Sequence, residues 1–214
     1  MSRIKIITGH FGSGKTEVAV NLAMQDKGTT IVDLDTVNPY FRTADAKEEL
    51  ERHGIRAIVP EFANTNLDLP TLPPEIYSVF QNDGRVIFDV GGDDDGALAL
   101  GMYHNYFQKE NPDMYFVVCT TRPLMSTADD VIEMIRNIEA ASRLRVTHLI
   151  NNTHLSKYTE IDTVLKGQAV TEEVSRKTGI PILFTAVRED LKDKIADKIG
   201  NNVLGLKLYL NLPF

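Results

Sequence analysis

The sequence predicts an α/β protein: a doubly wound, mostly parallel sheet with helices on both faces, three layers in αβα order. Three observations carry that prediction. Short β-prone runs alternate with helix-like segments from one end of the chain to the other. Two of the runs, "RVIFDV" (85–90) and "DMYFVVCTT" (113–121), are apolar without polar alternation, as expected of strands covered on both faces. Glycines and acidic residues fall just after the runs, where the carboxyl ends of parallel strands would gather them on one edge.

Taken in order, "RIKIIT" (3–8) is a β-rich run that ends at Gly9. "KTEVAVNLAMQ" (15–25) carries Val18, Leu22 and Met24 among good helix formers, so one helical face can be buried. "TTIVDLD" (29–35) is a second strand, and 42–54 reads as an exposed helix stopped by Gly54. "IRAIVP" (55–60) is a short third strand. The proline- and asparagine-rich stretch 63–74 forbids regular structure, and 75–83 is a short helix. After the strand at 85–90 come "GGDDDG" and a helix over 97–110, then the buried strand at 113–121. The segment 126–144 is the best helix, with Ser126 or Thr127 as N-cap and Asp129 and Asp130 in its first turn. A strand at 146–152, a helix at 160–178, a strand at 180–186 and a last helix at 188–199 complete the series.

The 214 residues, 43% of them hydrophobic and 25% charged, suit one domain over 1–214 with a sizeable core. A net charge of −7 speaks against nucleic acid or an acidic membrane as the main partner. A lone cysteine, Cys119, rules out an internal disulfide and fits a reducing compartment. No secretory signal and no apolar stretch of membrane-spanning length is visible, so a cytoplasmic location is expected.

The chemistry begins at Gly9-His10-Phe11-Gly12-Ser13-Gly14-Lys15-Thr16, which fits G-x-x-x-x-G-K-[ST] between a strand and a helix. Glycines let such a loop curl so that successive N–H groups point inward and form an anion seat, to which the helix start adds its own free N–H groups. Gly9, Gly12, Ser13, Gly14, Lys15, Thr16 and Glu17 are therefore the candidate nucleotide-binding residues of the loop. Lys15 would reach the β- and γ-phosphates and the Thr16 hydroxyl a Mg²⁺ ion. Asp89, at the end of "RVIFD", is a candidate for the same metal, and the Gly92 N–H for the γ-phosphate. Asp33 and Asp35 lie two apart, which on one strand would put them on one face. Asp35, at the tip, is placed to hold metal or an attacking water.

These elements, Gly9–Thr16, "DLD" and "FDVGG", together resemble the P-loop ATPases of the MinD/ParA/CobQ/CobB nucleotide-binding class over residues 3 to about 190. The resemblance implies ATP and Mg²⁺ as cofactors and a nucleotide-driven switch that often forms a homodimer with nucleotide near the interface. It implies catalytic roles for Lys15, Asp35 and Asp89, with Thr16, Asp35 and Asp89 at the metal. It also implies a base-reading role for Asn151 or Asn152, and a second pocket wall at 185–187 around Ala186. One departure matters. The best-known branch carries an extra lysine at the second loop position, where this chain has His10, and Arg42 or Arg122 are the candidate substitute cations. The guanine-reading pattern Asn-Lys-x-Asp is absent, "NNTH" (151–154) standing there instead, which favours ATP over GTP.

Other residues point to ordinary roles. Asp93–Asp95 reads as a solvated loop and helix start, and His104, His148 and His154 lack zinc-site spacing. The stretch 60–74 is long enough to be a lid or a partner surface, and with Tyr103 and His104 it could line an acceptor pocket. Three functions remain open: an ATPase switch, an ATP-dependent phosphotransferase or ligase on a small molecule, and a non-hydrolysing nucleotide-binding subunit acting on a protein partner.

Overall fold

The architecture comes from a computed structural model, which describes residues 2–35, 46–59, 74–92, 94–200 and 202–210. Among the described residues eight strands join one sheet: β1 (Ile4–Thr8), β2 (Thr30–Asp33), β3 (Arg56–Ile58), β4 (Val86–Asp89), β5 (Asp113–Val118), β6 (His148–Asn151), β7 (Ile182–Arg188) and β8 (Val203–Leu206). Their order is β3-β2-β4-β1-β5-β6-β7-β8, and every pairing is parallel. The doubly wound parallel sheet is thus as the sequence predicts. The connecting helices are α1 (Lys15–Met24), α2 (Lys47–Arg52), α3 (Asp94–Met102), α4 (His104–Glu110), α5 (Ala128–Ser142), α6 (Ile161–Thr178) and α7 (Lys192–Ile199).

Both sheet faces are covered, which explains the unbroken apolar runs. On β1, Ile4 and Ile6 join a core with Phe88, Phe107, Phe116 and Ile135, while Ile7 joins a second core with Val18, Ile31, Tyr115 and Val117. Successive side chains point to opposite faces, so α3–α5 lie over one core and α1–α2 over the other. A smaller cluster of Val164, Val187, Leu191 and Ile195 holds α6 and α7 to the β7 edge.

The structure departs from the predicted elements in three places. The helix expected over 97–110 is broken at Tyr103 into α3 and α4, and Tyr103 packs with Tyr77 and Phe80. The helix expected over 42–54 spans Lys47–Arg52 among the described residues. An eighth strand, unpredicted, follows α7; its run "VLGL" was the available signal. The best-formed helix start is on α5, where Thr127 Oγ1 accepts from Asp130 N at 3.2 Å and Asp130 Oδ2 accepts from Thr127 N at 2.9 Å. That reciprocal pair satisfies two otherwise orphaned amides.

At β1 the chain turns toward β2 on one side and, later, toward β5 on the other, so the carboxyl end of β1 is the switch point where such sheets hold ligands.

Candidate functional site

Between β1 and α1, residues 9–14 form a loop that only glycine can build. Gly9, Gly12 and Gly14 have φ of 143°, 70° and 80°. These values lie in the range L side chains rarely adopt. Space is also denied: a β-carbon at Gly9 would lie 2.5 Å from the Val117 carbonyl oxygen of β5, and one at Gly14 would strike the Asn152 amide. Ser13 N donates to the His10 carbonyl at 3.1 Å, closing the curl, and Lys15 Nζ folds back to the same carbonyl at 3.1 Å. Lys15 and Thr16 are buried at the head of α1, while Phe11 at the loop tip is 53% exposed.

Three carboxylates gather beside this loop. Asp33 and Asp89 are register partners at the ends of β2 and β4, and Asp33, Asp35 and Asp89 are all buried. Asp35 lies beyond the strand, not on it; its N–H donates to Asp33 Oδ1 at 2.9 Å. The pair is therefore an Asx-type turn and not two residues on one strand face. Gly91 and Gly92 pack this corner together. A β-carbon at Gly91 would lie 3.3 Å from Asp35 Oδ1, and one at Gly92 would lie 2.5 Å from Phe11 N and 2.7 Å from Lys15 Nζ. Lys15, Thr16, Asp35, Asp89 and Gly92 thus belong to one corner. Among the described residues no group of three or more His, Cys, Asp or Glu could hold a metal unaided. A cation here would draw on few carboxylates, the Thr16 hydroxyl and ligand oxygens, the pattern Mg²⁺ favours.

The loops after β5 and β6 grip the outside of the glycine loop. Asn152 Nδ2 donates to the Ser13 carbonyl at 2.8 Å, and Arg122 Nε to the Gly12 carbonyl at 2.7 Å. Thr120 N and Thr121 Oγ1 then tie the two outer loops together through Thr153 Oγ1 and the His154 carbonyl. His154 Nδ1 accepts from Ser156 N at 3.2 Å, so the neutral ring carries its proton on Nε2, next to Gly14. Burial, and secondarily the positive charge of Arg122, push its pKa down to about 4.

Asn151 turns toward α6: its Nδ2 donates to Gln168 Oε1 at 3.2 Å and its Oδ1 accepts from Thr153 N at 3.1 Å. Gln168 Oε1 also accepts from Thr185 Oγ1 at 2.6 Å. The segment 185–187 lies inside β7, not after it, and Ala186 is buried in the core shared with α1. Glu17 likewise faces away from the loop interior. Its carboxylate accepts from Tyr209 N at 2.6 Å and Leu210 N at 3.3 Å, and burial raises its pKa despite those bonds. Asn21, one turn on, holds both backbone groups of Lys207. The sequence reading missed Gln168, Thr153 and the 207–210 segment, because each acts through a long-range partner that has no local motif. Arg42, Asp93 and 60–73 lie outside the described residues.

No family model matches the chain and no curated protein does. Solved structures do match. FtsY from Mycoplasma mycoides superposes with a TM-score of 0.57 at 16% identity, over 87% of this chain and 60% of that one. Cell division protein FtsY from Thermotoga maritima gives 0.54 at 19%, over 86% and 60%. The signal recognition particle receptor FtsY from Elizabethkingia anophelis, in complex with GDP, gives 0.52 at 20%, over 87% and 58%. The chain therefore spans about three-fifths of the length of these neighbours. Such likeness establishes the fold alone: the chain shares the parallel α/β architecture of these FtsY structures. Among the described residues no helix is long and apolar enough to cross a membrane.

Proposed function

We propose that the chain is a nucleoside-triphosphate-binding switch, with ATP as its nucleotide and slow hydrolysis as its reset. The observation that carries the reading is the curled loop: three glycines at positive φ, pinned from outside through the Gly12 and Ser13 carbonyls. A trans peptide sets its N–H opposite its carbonyl, so holding the Ser13 carbonyl from one side turns the Gly14 N–H to the other, where a polyphosphate would lie.

In this reading Gly9, Gly12, Ser13, Gly14, Lys15 and Thr16 bind the phosphates. Lys15, held over the loop by the His10 carbonyl, exchanges that acceptor for phosphate oxygens. Thr16, Asp35 and Asp89 would hold Mg²⁺, which when bound neutralises phosphate charge and polarises the bond to be broken. Asp35 orients the attacking water, the Gly92 amide meets the γ-phosphate, and loop amides take up charge that develops on it. With His10 in place of the second lysine, one strong stabiliser is absent and hydrolysis is slow. Such a cation is worth roughly 10³-fold or more in rate. Asn152 shapes the loop beside the base, and Asn151, Glu17 and Ala186 support the pocket from behind. The class is that of MinD/ParA/CobQ/CobB proteins, acting in the cytoplasm as one domain, and Phe11 offers an exposed apolar tip for a second copy or another partner.

GTP is the second reading, favoured by one observation: a fold neighbour, the Elizabethkingia FtsY, is in complex with GDP. Against it stands the Asn-Asn-Thr-His sequence at 151–154. Calorimetric titration with Mg-ATP and Mg-GTP decides between them. Tighter binding of ATP is the expected result, with Lys15→Ala abolishing measurable binding of either. Normal binding by Lys15→Ala overturns the whole assignment.

A further inference from the structure

Four large apolar side chains stand in solvent on the loops that follow β1, β5 and β6: Phe11, Leu124, Leu155 and Tyr158. None of them joins the hydrophobic cores. Hydrogen bonds hold the three loops together as one surface. Arg122 Nε donates to the Gly12 carbonyl, beside Phe11, and Thr121 Oγ1 to the His154 carbonyl, beside Leu155. Arg188 of β7 donates through Nη1 to the Lys157 carbonyl at 2.7 Å and so fixes the turn that carries Tyr158. Leu124 is the most telling of the four. It is 76% exposed and has a φ of 58°. Bulky L side chains rarely adopt that conformation, and a leucine left in water gains nothing from burial. Glycine or asparagine would make the same turn at lower cost. Ser156, with φ of 53°, shapes the turn between Leu155 and Tyr158. The other two left-handed non-glycine residues among those described, Asn111 and Arg143, have an ordinary reason for it: they cap α4 and α5.

The charge on this surface says what it fits. Acidic residues outnumber basic ones 30 to 23 in the chain, yet the stretches 9–16, 119–128 and 150–159 hold no aspartate or glutamate. They do hold Arg122 and Lys157, and no carboxylate pairs with either among the described residues. Lys157 Nζ lies 5.3 Å from the centre of the Tyr158 ring, so cation and apolar surface are displayed side by side. Arg188 at the rim is different, its charge being met by Asp190. A second copy docked through this same face would set cations against cations with no carboxylate between them. An anionic membrane is bound by clusters of about four to eight basic residues, more than stand here. Apolar anchors beside unpaired cations instead complement a protein segment that carries acidic and apolar side chains together.

We propose that Phe11, Leu124, Leu155 and Tyr158, with Arg122 and Lys157, form a docking surface for an acidic, apolar-anchored segment of a partner protein. The surface lies on the outer side of the glycine loop, and its assignment stands whether or not nucleotide binds within.

The test uses the full chain and a labelled synthetic peptide of Glu, Leu and Phe, with two control peptides: one with Lys for every Glu, one with Ser for every Leu and Phe. Binding is read by fluorescence anisotropy at low and high salt. The acidic apolar peptide should bind at least about tenfold more tightly than either control, and less tightly as salt rises. Lys157→Glu and Leu124→Asn should each weaken it about tenfold. Leu124→Asn should also raise the melting temperature, because asparagine tolerates the left-handed region better than leucine does. A lower melting temperature would give Leu124 a packing role and overturn the proposal. So would equal binding of the three peptides, or affinity unchanged in both variants. Two parallel measurements cover the other occupants: sedimentation of the chain alone, and flotation with vesicles of phosphatidylserine and phosphatidylcholine. Self-association or vesicle binding that Leu124→Asn and Lys157→Glu abolish would assign the surface to a second copy or to a membrane, and would overturn the proposal.

Discussion

The two edges of the sheet use glycine for opposite reasons. At the amino edge, Gly28, Gly54, Gly179 and Gly200 each precede a strand, have φ between 77° and 92°, and face open space: nothing lies within 4 Å of where a β-carbon would stand. There glycine serves only to turn the chain. At the carboxyl edge, Gly9, Gly14, Gly91, Gly92 and Gly96 are crowded by backbone, an amide, a carboxylate or an ammonium. Buried polar groups follow the same division. Lys15, Thr16, Asp33, Asp35, Asp89 and Asn152 lie at the carboxyl edge, with no comparable gathering at the other among the described residues. One edge is built for chain reversal, the other for bringing backbone and charge into contact, and the contrast says where the chemistry is.

Gly92→Ala gives the sharpest break of that contrast. Its new methyl would meet Phe11 N at 2.5 Å, His10 C at 2.8 Å and Lys15 Nζ at 2.7 Å. Two of those three atoms are backbone and cannot swing aside. The loop must shift, at a cost near the upper end for overpacking, about 3 kcal/mol. The expected outcome is a hundredfold or greater loss of Mg-ATP affinity by calorimetry, with the circular dichroism spectrum retained. Unchanged affinity would mean that Gly92 stands clear of the loop in solution.

Acid should find the same edge next. His154 has a folded-state pKa of about 4 against 6.5 for a free histidine. Between those values the unfolded chain binds the proton and the folded chain does not, so stability is complete above pH 6.5 and declines as pH falls toward 4. The decline attributable to His154 is roughly 2 kcal/mol once partial solvent screening is allowed for. In urea titrations at several pH values, His154→Asn should lose that component of the slope. A slope that persists unchanged in the variant would place the acid-sensitive group elsewhere.

How much of this was legible in the sequence follows the same division. The loop at 9–16 was readable because its chemistry is local: glycine spacing, Lys15 and Thr16 are contiguous. So were the strands, since burial on both faces writes itself as an apolar run. The turn at Asp33–Asp35 was half legible: the acids were visible, but β2 stops at Asp33 and Asp35 sits in the turn beyond it, its N–H on the Asp33 carboxylate. Glu17 was assigned to the loop by adjacency, yet it holds Tyr209 and Leu210, 192 and 193 residues away. Asn151 and Asn152 stand side by side, yet one turns to Gln168 of α6 and the other to Ser13 of the loop. Such separations depend on register and on helix approach, as at Gly167 in α6, where a β-carbon would collide with Thr153. No local pattern encodes them.

The smallest effect belongs to the amino edge. Gly179 closes α6 with φ of 77°, its N–H donating to the Ser175 carbonyl at 2.8 Å. Gly179→Ala meets no atom, so its cost is only that of placing a β-carbon in the left-handed region, about 1 kcal/mol. In a chain of this size that lowers the melting temperature by roughly 2–4 °C. Gly179→Asn should recover part of the loss, because asparagine tolerates this conformation better than alanine. Affinity for Mg-ATP should be identical in all three proteins, since α6 ends at the edge opposite the loop. A change in affinity with Gly179→Ala would mean that the two edges are coupled through α6, whose Gly167 rests against Thr153 and whose Gln168 holds Asn151.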